Sequence, residues 1–78
     1  MVWQERISVD PAICHGKACI KGTRVMVTVV LDNLANGETP EQIAATCKIE
    51  AEDIYAALRY GSELVKGHLS VQITPKAG

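Results

Sequence analysis

The chain has 78 residues, 47% of them apolar, with no Phe, one Trp and two Tyr, so one small domain over residues 1–78 is expected, its core built from Val, Ile, Leu and Ala. A net charge of −1 excludes the strongly basic balance of a non-specific nucleic-acid binder, although a local basic patch remains compatible with it. No apolar run is long enough to span a membrane, and the three cysteines, an odd number, do not make a secreted disulfide framework.

Glu5 and Arg6 interrupt any apolar leader, so the expected compartment is the cytoplasm. Residues 1–5 read as an irregular start with Trp3 capping the core. Ile7 and Val9 alternate with Arg6 and Ser8, which predicts a short strand ended by Asp10-Pro11. A second short strand is predicted over residues 18–20, between two glycine turns, with Arg24 and Val25 extending the pairing.

The first helix is predicted over residues 27–36, where Val27, Val30, Leu31, Leu34 and Ala35 form an apolar stripe. Asn36-Gly37 ends it, since glycine accepts the left-handed conformation of a helix end. Thr39-Pro40-Glu41-Gln42 announces a second helix: Thr39 caps, Pro40 suits the first position and Gln42 completes a capping box. Its inner face is Ile43, Ala44 and Cys47. A third helix is predicted over residues 51–65, with Ile54, Ala57, Leu58, Gly61 and Val65 on one face and Glu52 and Asp53 favouring the positive end of its dipole. Gly61 marks either a close-packing point or the place where that helix frays. In the tail, residues 66–78, Leu69, Val71 and Ile73 alternate with polar residues and predict a strand ended by Pro75.

The second and third helices fit a helix-turn-helix, with the small Ala44 at the crossing, Ile49 in the turn, and Lys48 where glycine is usual. A DNA-reading third helix would present Glu50, Glu52 and Asp53 at the end where base contacts are made, and carboxylates there repel phosphates. The same acidic end suits a basic protein partner.

The densest candidate binding segment is residues 10–27, which holds His15-Gly16-Lys17 and Lys21-Gly22-Thr23-Arg24. Such turns offer backbone N–H groups and cations to a phosphate or carboxylate. The alternative is structural: the glycines make turns, and Arg24 pairs with Asp10 or a helix carbonyl. No Walker spacing is present. Cys14, His15 and Cys19, with Cys47 or His68, lack the paired spacing of a zinc site, so no metal and no cofactor are expected. Cys14-His15 as a nucleophile pair fails if the segment is extended, because neighbouring side chains then point to opposite faces. No enzyme is expected.

Ile7, Asp10-Pro11, Gly16-Lys17, Ile20, Gly22-Thr23-Arg24-Val25 and Val27, followed by Gly37, Glu41-Gln42-Ile43, Ile49, Glu52-Asp53-Ile54 and Ala56-Ala57-Leu58, resemble the domain of unknown function 433 family over residues 5–60. The chain departs from its pattern at Glu50, where a hydroxyl residue commonly caps the third helix, and at Ala18, where Pro often follows Gly-Lys. The resemblance implies a mainly α fold, a three-helix homeodomain-like helix-turn-helix core with a short N-terminal β element. It also implies an antitoxin-like role beside a PIN-like ribonuclease toxin. The function expected is therefore a protein-binding module that neutralises a toxin. The alternative is a dimeric helix-turn-helix DNA-binding regulator, and the two are compatible in one homodimeric protein. The residues expected to meet the partner or nucleic acid are Lys17, Lys21, Thr23, Arg24, Lys48, Glu52 and Asp53.

Overall fold

In the computed structural model, which describes residues 2–67, a 3-10 turn (Trp3–Arg6) leads into strand β1 (Ile7–Ser8), and a second such turn (Cys14–Gly16) into β2 (Cys19–Ile20). Three helices follow: α1 (Val27–Ala35), α2 (Pro40–Cys47) and α3 (Ala51–Val65). The architecture is mainly helical with a two-stranded antiparallel sheet, as the patterning predicts. The predicted strand at Leu69, Val71 and Ile73 lies outside the described residues.

Strands β1 and β2 pair Ile7 with Ile20 and Ser8 with Cys19, and Met26 is bridged to Cys19 on the other side. This small sheet carries Ile20 into the core, where it meets Val27 and Val30 of α1, Ile43 of α2, and Ile54 and Ala57 of α3. Leu31, Leu34, Ala44, Ile49 and Tyr60 close the cluster from its rim.

The local signals that end the helices operate as expected. Thr39 Oγ1 accepts from the Gln42 N–H (3.1 Å) while Gln42 Oε1 accepts from the Thr39 N–H (2.9 Å), a complete capping box. Gly37, at φ 94°, turns the chain out of α1. Lys48 takes the left-handed conformation (φ 57°, ψ 47°) at the end of α2, where its N–H bonds the Ala44 carbonyl. The α2–turn–α3 pair thus has the helix-turn-helix form, with a side chain at the position glycine fills more easily.

The structure departs from expectation on the inner face of α3. Ile54 and Ala57 are buried, but Leu58 and Val65 are 43% and 76% exposed, while Asp53 and Ala56 turn inward. The cause is the N-terminal segment, which is not an irregular start: the Trp3–Arg6 turn packs across α3. Trp3 meets Tyr60 edge to face, with ring centroids 6.3 Å apart. This contact rotates the buried face of α3 towards Asp53, Ala56 and Tyr60. The helix runs unbroken through Gly61, whose missing Cβ would lie 3.4 Å from Leu31 Cδ1, so that glycine is a close-packing point between α1 and α3.

Candidate protein-binding surface

The two glycine turns are built differently. In the first, Asp10 Oδ1 accepts from the Ala12 N–H (2.8 Å) across Pro11. The chain then passes through three consecutive left-handed residues, Cys14, His15 and Gly16, at φ 53°, 55° and 80°. The segment is therefore not extended, and the Cys14 and His15 side chains do not alternate across a strand. In the second, Ile20, Lys21, Gly22 and Thr23 make a turn closed by the Thr23 N–H on the Ile20 carbonyl (3.0 Å), with Gly22 at φ 80°. The Cys14 thiol donates to the Arg24 carbonyl at 3.6 Å and ties the two turns together.

This geometry sorts the candidate residues of these turns. The Thr23 hydroxyl donates to the Ile20 carbonyl (2.8 Å) and accepts from the Val25 N–H (3.0 Å), so it is spent on the turn and leaves the candidate set. Asp10 holds its own turn rather than Arg24. Lys17, Lys21 and Arg24 are exposed, and among the described residues their side chains make no ion pair. Lys48 is exposed at the α2–α3 turn.

At the start of α3 the two candidate acids separate. Glu52 is exposed, whereas Asp53 is 8% exposed and occupied on both carboxylate oxygens. Its Oδ1 accepts from Arg6 Nη1 at 2.9 Å and its Oδ2 from the Glu50 N–H at 2.9 Å. Arg6 reaches Glu50 as well, at 3.3 Å. The Asp53 carboxylate, then Glu50, raises the Arg6 pKa above its ordinary value, against the opposing effect of burial. Asp53 is thus a helix cap and the anchor of the N-terminal segment, not a residue that faces a partner. It also supplies the cap that Glu50, a poor capping residue, left in question.

What replaces it is a surface that includes Leu58 and Val65, two residues the periodicity predicts on the inner face. Ala51, Tyr55, Leu58, Ser62 and Val65 fall at steps of four and three residues, so they line up along one side of α3. Tyr55 is 58% exposed and joins Leu58 and Val65 as unburied apolar surface. In sequence this stripe overlaps the neighbouring buried one, because Leu58 and Val65 fit the periodicity of both. Glu52 flanks the start of this stripe. Arg59, the first cation along α3, is engaged with Glu63 at 3.1 Å.

A separate open groove of about 430 Å³ runs between the first glycine turn, α1 and α3, with Lys17, Ala18, Thr28, Leu31, Tyr60 and Leu64 among its walls. Among the described residues no cluster of three or more His, Cys, Asp or Glu is placed to hold a metal ion. No described helix is long and apolar enough to cross a membrane.

Among known protein families, residues 7–61 match one described as a protein of unknown function (DUF433). No curated protein and no solved structure matches the chain.

Proposed function

The chain belongs to the DUF433 family, and from that premise we propose that it is an antitoxin-like protein-binding module that docks the outward side of α3 on a PIN-like ribonuclease and neutralises it. The observation that carries this reading is the composition of that side. A helix that reads DNA presents cations and amides to phosphates and base edges. Here the outward side of α3 offers Tyr55 and Leu58 with Glu52 beside them, and no cation before Arg59. An apolar stripe with an aromatic residue near its centre is the composition of a protein interface core. Glu50 and Glu52 supply negative charge at one end. A ribonuclease presents cations to the phosphates of its substrate, and these carboxylates complement such a surface.

The test is whether the protein binds and inhibits a PIN-like ribonuclease. Tyr55→Ala and Leu58→Ala should each weaken inhibition about five- to thirtyfold, on the order of 1–2 kcal/mol per truncated interface anchor. Glu52→Lys should slow association, most clearly at low salt. Inhibition unchanged in all three variants would remove this surface from the mechanism.

A second reading, a dimeric DNA-binding regulator, is favoured by one observation: Lys17, Lys21 and Arg24 are exposed, without ion-pair partners among the described residues, on turns tied to each other. It requires duplex binding that falls steeply with salt and weakens uniformly in Lys17→Ala and Arg24→Ala. No binding at low salt would end it.

A further inference from the structure

We infer that Cys14 and Cys19 form a dithiol site that closes to an intramolecular disulfide when the protein meets a peroxide or a small disulfide, locking the first glycine turn onto β2. The inference rests on how the backbone brings the two sulfurs together. The Cys14 sulfur lies 3.6 Å from the Arg24 carbonyl. The residues that follow Arg24 flank Cys19 directly: the Val25 carbonyl accepts from the Ile20 N–H at 2.8 Å, and Met26 is bridged to Cys19. Cys14 and Cys19 thus meet at one junction, the segment from Arg24 to Met26. Cys14 is held there by a left-handed turn that an L side chain adopts only when its surroundings over-determine it.

The two sulfurs differ in access. Cys14 is half-buried, while Cys19 is 1% exposed within the sheet. Burial, and then the adjacent Cys14 thiol, push the Cys19 thiol up to about 11. A small oxidant therefore meets Cys14 first. The Cys14 thiolate attacks one oxygen of hydrogen peroxide, the O–O bond breaks, and a protonated hydroxide leaves as water. The resulting sulfenic acid is attacked by Cys19, whose proton leaves with the sulfenic oxygen as a second water. Two thiols become one disulfide, and the peroxide is reduced to two waters. With oxidised glutathione the intermediate is a mixed disulfide on Cys14, and Cys19 displaces reduced glutathione.

The full chain is treated in its native state with graded hydrogen peroxide or oxidised glutathione, then alkylated and digested with trypsin. Cleavage after Lys17 separates the two cysteines, so the bond would join peptide 7–17 to peptide 18–21. The expected result is loss of two of the three free thiols with a mass decrease of two hydrogen atoms, and that one linked pair. Cys47→Ser should behave as wild type, and Cys14→Ser should abolish the mass decrease. The same treatment in denaturant should scatter linkage across all three cysteines. A native linkage through Cys47, a covalent dimer, or sulfinic or glutathionylated Cys14 beside a reduced Cys19 would overturn the inference.

Discussion

Lys48 sits at φ 57° and ψ 47° because the chain must turn sharply between α2 and α3. A left-handed non-glycine residue is strained by about 1–2 kcal/mol, against about 0.4–1 kcal/mol of extra unfolded-state freedom that glycine would bring. Lys48→Gly is therefore expected to stabilise the fold by about 0.5–1 kcal/mol in urea unfolding, while Lys48→Ala leaves it unchanged. Destabilisation by glycine would mean that the Lys48 side chain contributes more than its backbone conformation takes away. Asp53 is the opposite case, a charged residue placed where only one side chain serves. Asp53→Ala should lower stability by about 1 kcal/mol through loss of the cap alone. Arg6→Ala should also lower the melting temperature, and the double variant should lose less than the sum of the two because they share one contact. Cys19 adds a pH dependence. Its folded pKa of about 11 lies above the ordinary 9.0, so the unfolded chain releases its proton first. The stability tied to the buried thiol is complete below pH 9 and is lost as pH rises from 9 towards 11. Urea midpoints should fall across that window and fall less in Cys19→Ala; a midpoint that rises there would contradict the assignment.

At the scale of elements, α3 has two working faces. One holds Asp53, Ile54, Ala56 and Ala57 against the core and the N-terminal turn; the other leaves Ala51, Tyr55, Leu58 and Val65 outside. Its bounds, and those of α1 and α2, were legible in the sequence, because Thr39-Pro40, Asn36-Gly37 and the acidic start of α3 are local signals acting over a single turn. Which face points inward was legible in part: Ile54, Ala57 and Gly61 face the core as the periodicity predicts, but Leu58 and Val65 do not. That depends on what packs against the helix, and the packing element is Trp3–Arg6, some 50 residues away along the chain. The signal that would have revealed it is the spacing of Asp53, Ala56 and Tyr60 at i, i+3 and i+7, matched to an aromatic residue and an arginine near the N-terminus. Gly61 tests the packing of α3 on α1. Gly61→Ala gains helix propensity of about 0.8–1 kcal/mol, and the new methyl at 3.4 Å from Leu31 is an ordinary contact. A net gain of about 0.5–1 kcal/mol is expected in thermal unfolding; a loss would show that Leu31 cannot yield.

For the molecule as a whole, the candidate residues divide by exposure, with Lys17, Lys21, Arg24, Lys48 and Glu52 at the surface and Asp53 buried. Two glycine turns in the sequence point to Lys17, Lys21 and Arg24, and the structure leaves them exposed. Thr23 and Asp53 were chosen by residue type, and both are used internally through hydrogen bonds that only the fold brings together. The result is a small domain with a basic loop region and an apolar helix side, each a candidate for a different class of partner. The second carries the proposed function. Its most direct test is the activity of a PIN-like ribonuclease on single-stranded RNA, titrated with wild type, a Tyr55→Asp/Leu58→Asp variant, and a Lys17→Ala/Arg24→Ala variant, each first shown to be folded by circular dichroism. Stoichiometric inhibition by wild type and by the loop variant, lost in the α3 variant, is the expected result. Inhibition retained by the α3 variant, or none by the wild type, would contradict the assignment of α3 as the docking surface.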